Sequence, residues 1–289
     1  MTKNLKNIFW LASYPKSGNT WFRVFLSNLL SEGNEPVSIN ELLSTPVASS
    51  RTLIDEYAGV SSADLTQHEL ENILPEVYRK LSEQIEERIF LKVHDAWRIS
   101  PSGAPIYPPE VTAGVIYFVR NPLDVAVSYS FHTGQNPSQV VELMNNQDYS
   151  LCSSKNRLFS QILQPLSDWS GHIKSWVDDS GLPVLVIRYE DMLKKNFSTF
   201  KKAVHFTGIE KSDSAIKTAL NASDISTLKK LEKEEGFREK PLGMKSFFRR
   251  GTSGTWHEHL DEKSVKRLIK AHNSFMERYG YITVKRITY

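Results

Sequence analysis

Several things are scarce in this sequence. Its 289 residues hold one cysteine, Cys152, so no disulfide can form within the chain, which fits a reducing compartment. No apolar run approaches the length of a membrane span. The basic stretch Met1 to Asn7 is followed by Ile8 to Ala12, too short for a signal-peptide core and soon broken by Tyr14-Pro15-Lys16. Charge of one sign is also lacking. Against 36 basic residues stand 33 acidic ones, a net +3, so no basic field calls for a nucleic acid and a local anion pocket accounts for the excess. No internal repeat, low-complexity tract or linker interrupts the chain. Residues 1–289 are therefore expected to form a single domain, cytoplasmic, without membrane or nucleic-acid contact.

What is present alternates. Short apolar runs, Ile8 to Ser13, Ile89 to Val93, Gly114 to Val119 and Val184 to Ile187, read as buried strands. Helical spacing follows from Thr20 to Leu30, in the stripe Leu158, Ile162, Leu166, Trp169, Ile173 and Trp176, and from Val265 to Tyr279 with Gly280 as its stop. His272 on that last stripe reads as a packed histidine, and Lys229 to Glu235 as a solvated helix face. Continuous apolar strands with intervening helices predict an α/β fold, a central parallel sheet flanked by helices. Ser31 to Ser62, Thr133 to Lys155 and Phe237 to Thr255 are irregular, as binding loops and lids often are.

The strongest local signal is Ser13-Tyr14-Pro15-Lys16-Ser17-Gly18-Asn19-Thr20-Trp21, between a strand and an amphipathic helix. A helix N-terminus offers free N–H groups and partial positive charge to an anion. Gly18 permits close backbone approach, and Lys16, Ser17, Asn19 and Thr20 add charge and donors. The pattern is not Walker A, because the lysine precedes the glycine. A nucleoside triphosphatase also needs a carboxylate at a neighbouring strand end to hold Mg²⁺. Here those strands run into His94 and Arg120, so side-chain cations are expected to neutralise the anion without a metal. A P-loop kinase and a non-catalytic nucleotide-binding protein are the alternatives.

These residues resemble the 3′-phosphoadenosine 5′-phosphosulfate (PAPS)-dependent sulfotransferases, with four signatures in the family's order. Tyr14 to Trp21 is similar to the 5′-phosphosulfate loop, with Asn19 in place of Thr or Ser. Leu91-Lys92-Val93-His94 resembles the Lys-Thr-His segment, with Val93 in place of Thr. Tyr117 to Pro122 followed by Ser128 resembles the 3′-phosphate site, and Phe247-Phe248-Arg249-Arg250-Gly251 with Gly254 and Trp256 the C-terminal Arg-Lys-Gly segment. Arg188-Tyr189-Glu190-Asp191 matches a recurrent family block.

The resemblance implies a P-loop NTPase-like architecture, PAPS as donor and adenosine 3′,5′-bisphosphate (PAP) as product. It implies that Lys16, Ser17, Gly18, Asn19, Thr20 and Trp21 hold the phosphosulfate and the adenine side. Arg120 and Ser128 are expected at the 3′-phosphate, with Arg249, Arg250 and Gly251 closing over it, Tyr189 against the adenine, and Ser223 and Ile225 near it. His94 is the candidate general base, since imidazole titrates near working pH. Lys16 is placed for the leaving oxygen. Lys92, two residues before His94 on one strand face, is placed for transition-state charge. The acceptor is expected to be a small molecule bearing a hydroxyl or amine, of the kind met in secondary metabolism. Its pocket is expected among Ser31 to Ser62, Asp95 to Tyr107 and Phe131 to Asn146, with Asp55, Glu56 and Asp95 as ordinary loop carboxylates. The family's dimer motif has no match between Trp256 and Val265, which leaves the oligomeric state open.

Overall fold

A computed structural model describes residues 6–31, 35–42, 45–154, 156–241 and 243–283. Parts of the irregular stretches named above, 32–34, 43–44 and residues 155 and 242, lie outside the described residues. In chain order the strands are β1 Ile8–Ser13, β2 Ile89–Val93, β3 Thr112–Val119, β4 Ser150–Leu151, β5 Gln164–Pro165 and β6 Val184–Arg188. The helices are α1 Asn19–Leu30, α2 Arg51–Ala58, α3 Gln67–Gln84, α4 Pro122–Thr133, α5 Pro137–Met144, α6 Trp169–Lys174, α7 Tyr189–Lys194, α8 Asn196–Thr207, α9 Asp213–Ala222, α10 Ile225–Glu235 and α11 Glu262–Arg278.

Four strands form the expected parallel sheet, in the order β2-β1-β3-β6. Their side chains alternate between two cores. Ile8, Trp10 and Ala12 face the helices α3, α4, α6 and α11, whereas Phe9 and Leu11 pack with Phe22, Phe25 and Leu26 of α1 and Phe200 and Val204 of α8. A sheet covered on both faces needs apolar residues at every strand position, which is why these strands read as unbroken runs. Because β1 lies between β2 and β3, the chain leaves it to opposite sides, and the carboxyl ends of the strands open the crevice where such sheets bind ligands.

The four strand readings hold, with β3 beginning two residues earlier than its apolar run. The stripe from Leu158 needs correction. Helix begins only at Trp169 and widens into a π-turn at Ser175–Asp179. Pro165 lies in the short antiparallel pair β4–β5, where a helix interior cannot accommodate a proline. Leu158 is exposed, while Ile162 and Leu166 are buried, so core packing without helix produced the spacing. His272 is packed as expected, with Ser170 Oγ 2.8 Å from its Nδ1. The Lys229 to Glu235 face is solvated except at Glu232, which is buried.

Candidate active site

Strand register brings four chemically distinct groups to one edge. Ala12 pairs with Val93, so Ser13 at the end of β1 lies beside His94 just past β2. Val119 pairs with Arg188, so Arg120 past β3 lies beside Tyr189 at the start of α7. None of this depends on the loops; it follows from the parallel register, which aligns the strands' carboxyl ends.

The loop after β1 is held by its backbone. Lys16 has φ +69° and Gly18 φ +104°. A Cβ at Gly18 would stand 2.8 Å from Tyr189 Cδ2, so both dihedral and space demand glycine. No side chain caps α1 and its first turn carries no acid, which leaves its N–H groups to an anion. Ser17 Oγ is buried with no protein partner. Asn19 behaves differently from expectation. Its amide donates to Leu11 O (2.7 Å) and Ser13 Oγ (3.1 Å), so the side chain splints the loop to β1 and only its backbone faces the helix start.

His94 Nδ1 lies 2.8 Å from Ser13 O. A carbonyl only accepts, so Nδ1 carries the proton and Nε2 is left with its lone pair. Burial, then the Lys92 cation, hold the imidazole well below its usual value, keeping it neutral. The His94 carbonyl accepts from His172 Nε2 (2.8 Å), whose Nδ1 is 2.7 Å from Tyr117 OH, a buried chain that fixes the strand end. Lys16 is pushed down to about 7, first by burial and then by Lys92 and Arg120. Its Nζ is 3.4 Å from His132 Nδ1 on α4 and 3.9 Å from the Phe247 ring centre. His132, lowered to about 3 mainly by burial, is neutral and accepts from that ammonium.

Arg120 donates to Lys16 O (3.0 Å) and Thr252 O (3.1 Å), and lies 4.3 Å from the Tyr189 ring centre. Its Nε is buried with no protein partner, as is the indole N–H of Trp21 against Tyr189. Asp124 is not Arg120's partner. It accepts from Gly254 N (2.7 Å) and Trp256 N (3.3 Å). Ser128 lies half-buried on α4. Ser223 is fully buried and its hydroxyl donates to Ala219 O and Leu220 O, so its proton is committed to its own helix. Ile225 nearby does reach the site, since a Cβ on Gly251 would meet its Cγ1 at 2.8 Å.

Residues 237–241 and 243–254 form a strap over this edge. Phe237 and Phe248 are buried with Val24 of α1 and Leu228 of α10, and Phe247 packs on both. Glu232 fastens the strap by accepting from Phe247 N (2.7 Å), Phe248 N (3.0 Å) and Ser246 Oγ (2.9 Å). Bonds to a charged acceptor contribute about 1.5–3 kcal/mol each. Arg249 lies 3.4 Å from the Phe131 ring centre and feels the charge of Arg120. Arg250 instead turns outward to Glu258 (2.8 Å), an exposed pair of little consequence. The two adjacent arginines thus point in different directions, Arg249 onto Phe131 and Arg250 onto Glu258.

Two members of the site escaped the sequence. Glu239 of the strap reaches Lys92 Nζ (2.8 Å) and Arg23 Nη1 (2.7 Å). His132 sits in the Phe131 to Asn146 stretch expected for the acceptor, though nothing in its local pattern marked it. Asp55 is ordinary, accepting from Ser62 N, whereas Asp95 is buried, pairs with Arg98 and is raised by burial to about 6.

The pieces suit PAP: a helix start without cap or acid, orphaned buried donors at Ser17, Trp21 and Arg120, and converging cations. The sulfotransferase domain family model matches residues 6–280. The chain is 26% identical over 278 residues to Sulfotransferase 1E1 of Homo sapiens, covering 89% of this chain and 80% of that one. To Sulfotransferase 1E1 of Cavia porcellus it is 25% identical over 258 residues, covering 86% and 76%. Its fold is similar to mouse sulfotransferase SULT7A1 complexed with PAP, with TM-score 0.59, 19% identity and coverage of 94% and 85%. It is also similar to retinol dehydratase in complex with androsterone and PAP, with TM-score 0.58, 20% identity and coverage of 96% and 82%. The chain belongs to the PAPS-dependent sulfotransferase family.

Proposed function

We propose that this sulfotransferase moves the sulfuryl group of PAPS to a hydroxyl or amine of a small-molecule acceptor, with His94 as general base and no metal ion. The observation that carries the reading is the Nδ1 contact to Ser13 O, which leaves a neutral Nε2 within the influence of the Lys92 charge. PAPS supplies an activated sulfuryl group on a phosphate leaving group. His94 Nε2 takes the acceptor's proton as the new bond to sulfur forms. Lys16 neutralises the oxygen that keeps the electron pair of the breaking bond, and Lys92 faces charge on the transferring group, the placement and electrostatics that such displacements rely on.

The 3′-phosphate falls to Arg120, Ser128, Arg249 and Gly251, and the adenine to Trp21 and Tyr189. Ser17, Thr20 and the backbone of Gly18 and Asn19 hold the 5′-phosphate. Steroid-associated and retinol-associated names among the relatives and neighbours favour an uncharged acceptor. Among the described residues no helix is long and apolar enough to cross a membrane, and the reading keeps the cytoplasmic setting and a single domain.

His94→Ala tests the base. Turnover should fall by about 10²–10⁴, while PAP affinity by calorimetry stays near wild type. A fully active variant overturns the assignment. Titration in EDTA with PAP and with ATP tests the donor: tight PAP and weak ATP binding are expected, and ATP binding restored by Mg²⁺ without PAP binding would make the protein a kinase.

A further inference from the structure

Glu239 is the carboxylate that enters the cationic end of the site from the strap, and it does so between two fixed points. Arg23 is buried, and its Nε and Nη2 donate to Thr45 O at 3.2 and 3.0 Å, with Thr45 Oγ1 also 3.2 Å from Nε. So tied, the guanidinium cannot swing away, and its Nη1 holds Glu239 Oε1 at 2.7 Å. The other oxygen, Oε2, accepts from Lys92 Nζ at 2.8 Å. Arg23 lies one turn into α1 from the phosphate loop, while Lys92 lies two residues before His94. One side chain thus connects the loop's helix, the strand of the base and the strap.

We propose that Glu239 is a positioning residue for sulfuryl transfer, docking the strap against α1 and keeping Lys92 charged and aimed at the reacting end of the site. The transfer half of this rests on the reading of Lys92 given above. The pair differs from an ordinary salt bridge in where its charge is felt. Burial pushes the Lys92 ammonium down and Glu239 is the first influence that opposes this, with Arg23 acting against it. The same carboxylate also raises Lys16 and His94. The charged or titratable groups facing Lys92 and Glu239 are Arg23 of α1, Lys16 of the loop, His94 after β2 and His132 of α4. Beyond them, His172 of α6 acts on His94, and Arg120 and Arg249 act on Lys16. Without a counter-charge, that many cations would shed protons from the lysines more readily; one carboxylate tied to Arg23 opposes this without occupying the loop.

Glu239→Gln keeps the shape and most hydrogen bonds but removes the charge. In the ligand-free protein, the 13Cε signal of Lys92, assigned with Lys92→Arg, should titrate about one to two pH units lower than in wild type. In turnover, kcat should fall more than PAP affinity, and both limbs of kcat/KM for PAPS should move to lower pH, because Lys92 loses its proton earlier and His94 stays neutral further into acid. Glu239→Asp should recover part of each effect. Glu232→Gln, which loosens the strap at Lys240, Ser246, Phe247 and Phe248 without touching Lys92, should weaken PAP binding and leave the Lys92 titration in place. Thermal unfolding of each variant confirms that the fold is retained.

An unchanged Lys92 titration in folded Glu239→Gln overturns the inference. So does a profile matching that of Glu232→Gln, which would reduce Glu239 to a fastener. A shifted Lys92 titration in a protein that binds no PAP supports the hold on Lys92 and instead overturns the sulfotransfer reading of the site.

Discussion

The phosphate loop and the strap meet over the same edge of the sheet, yet they are built in different ways. The loop is local: β1 ends, two left-handed residues turn the chain, and α1 begins, all within Ser13 to Asn19. Its shape comes from backbone dihedrals and from Asn19 tying it to β1. The strap has little regular structure and borrows its shape from afar. Glu232 holds its phenylalanines, Asp124 holds its end, Arg120 bridges it to the loop, and Glu239 reaches partners 147 and 216 residues away in sequence. A local device is stable wherever its strand and helix are stable; a borrowed one fails partner by partner. The loop should therefore respond to changes of backbone freedom, and the strap to changes of charge and hydrogen bonding.

The sharpest break in this contrast is Gly18→Ala. The new Cβ has neither the dihedral nor the room, at a cost of about 1–3 kcal/mol for the strained backbone. PAP affinity should drop well over ten-fold, by calorimetry, with a lowered melting temperature; a silent substitution would mean the loop is not the rigid part. Arg120→Ala comes next because it touches both regions. Removing its bonds to Lys16 O and Thr252 O should weaken PAP binding by about ten- to a hundred-fold and make the strap more open to limited proteolysis.

A smaller effect is expected in protons. Lys16 stands at about 7 in the free protein, so it is largely neutral at pH 8 and charged below pH 6. A bound polyanion favours its ammonium. PAP binding at pH 8 should therefore take up a fraction of a proton, vanishing below pH 6. Calorimetry in buffers of different ionisation enthalpy measures this, and Lys16→Arg should abolish it. Least of all should come from Arg250→Ala. Its partner Glu258 is solvated, so PAP affinity should stay within about two-fold of wild type. A large loss would show that Arg250 turns inward on binding and that the strap closes further than the present geometry.

The same contrast explains what could be read in advance. The strands were legible because burial on both faces writes a continuous apolar run, and the loop because lysine, glycine and hydroxyls cluster at a helix start. The stripe from Leu158 misled because buried residues in irregular chain can fall at helical intervals, and Pro165 was the local sign against it. Ser223 lay near a family contact in order along the chain, but only the structure shows that its buried hydroxyl donates to its own helix. Arg249 and Arg250 are adjacent and chemically alike, and only packing against Phe131 and Glu258 separates their directions.

By itself, the sequence determined the parallel sheet, the phosphate loop and the order of Lys16, His94 and Arg120 at successive strand ends, since periodicity, turn chemistry and register are properties of neighbouring residues. The tertiary structure alone decided which nitrogen of His94 is free, that His132 stands beside Lys16, and that Glu239 is the counter-ion of Lys92. Each of these rests on a contact between distant segments, whose free energy depends on where packing places two side chains and leaves no trace in the residues around either one.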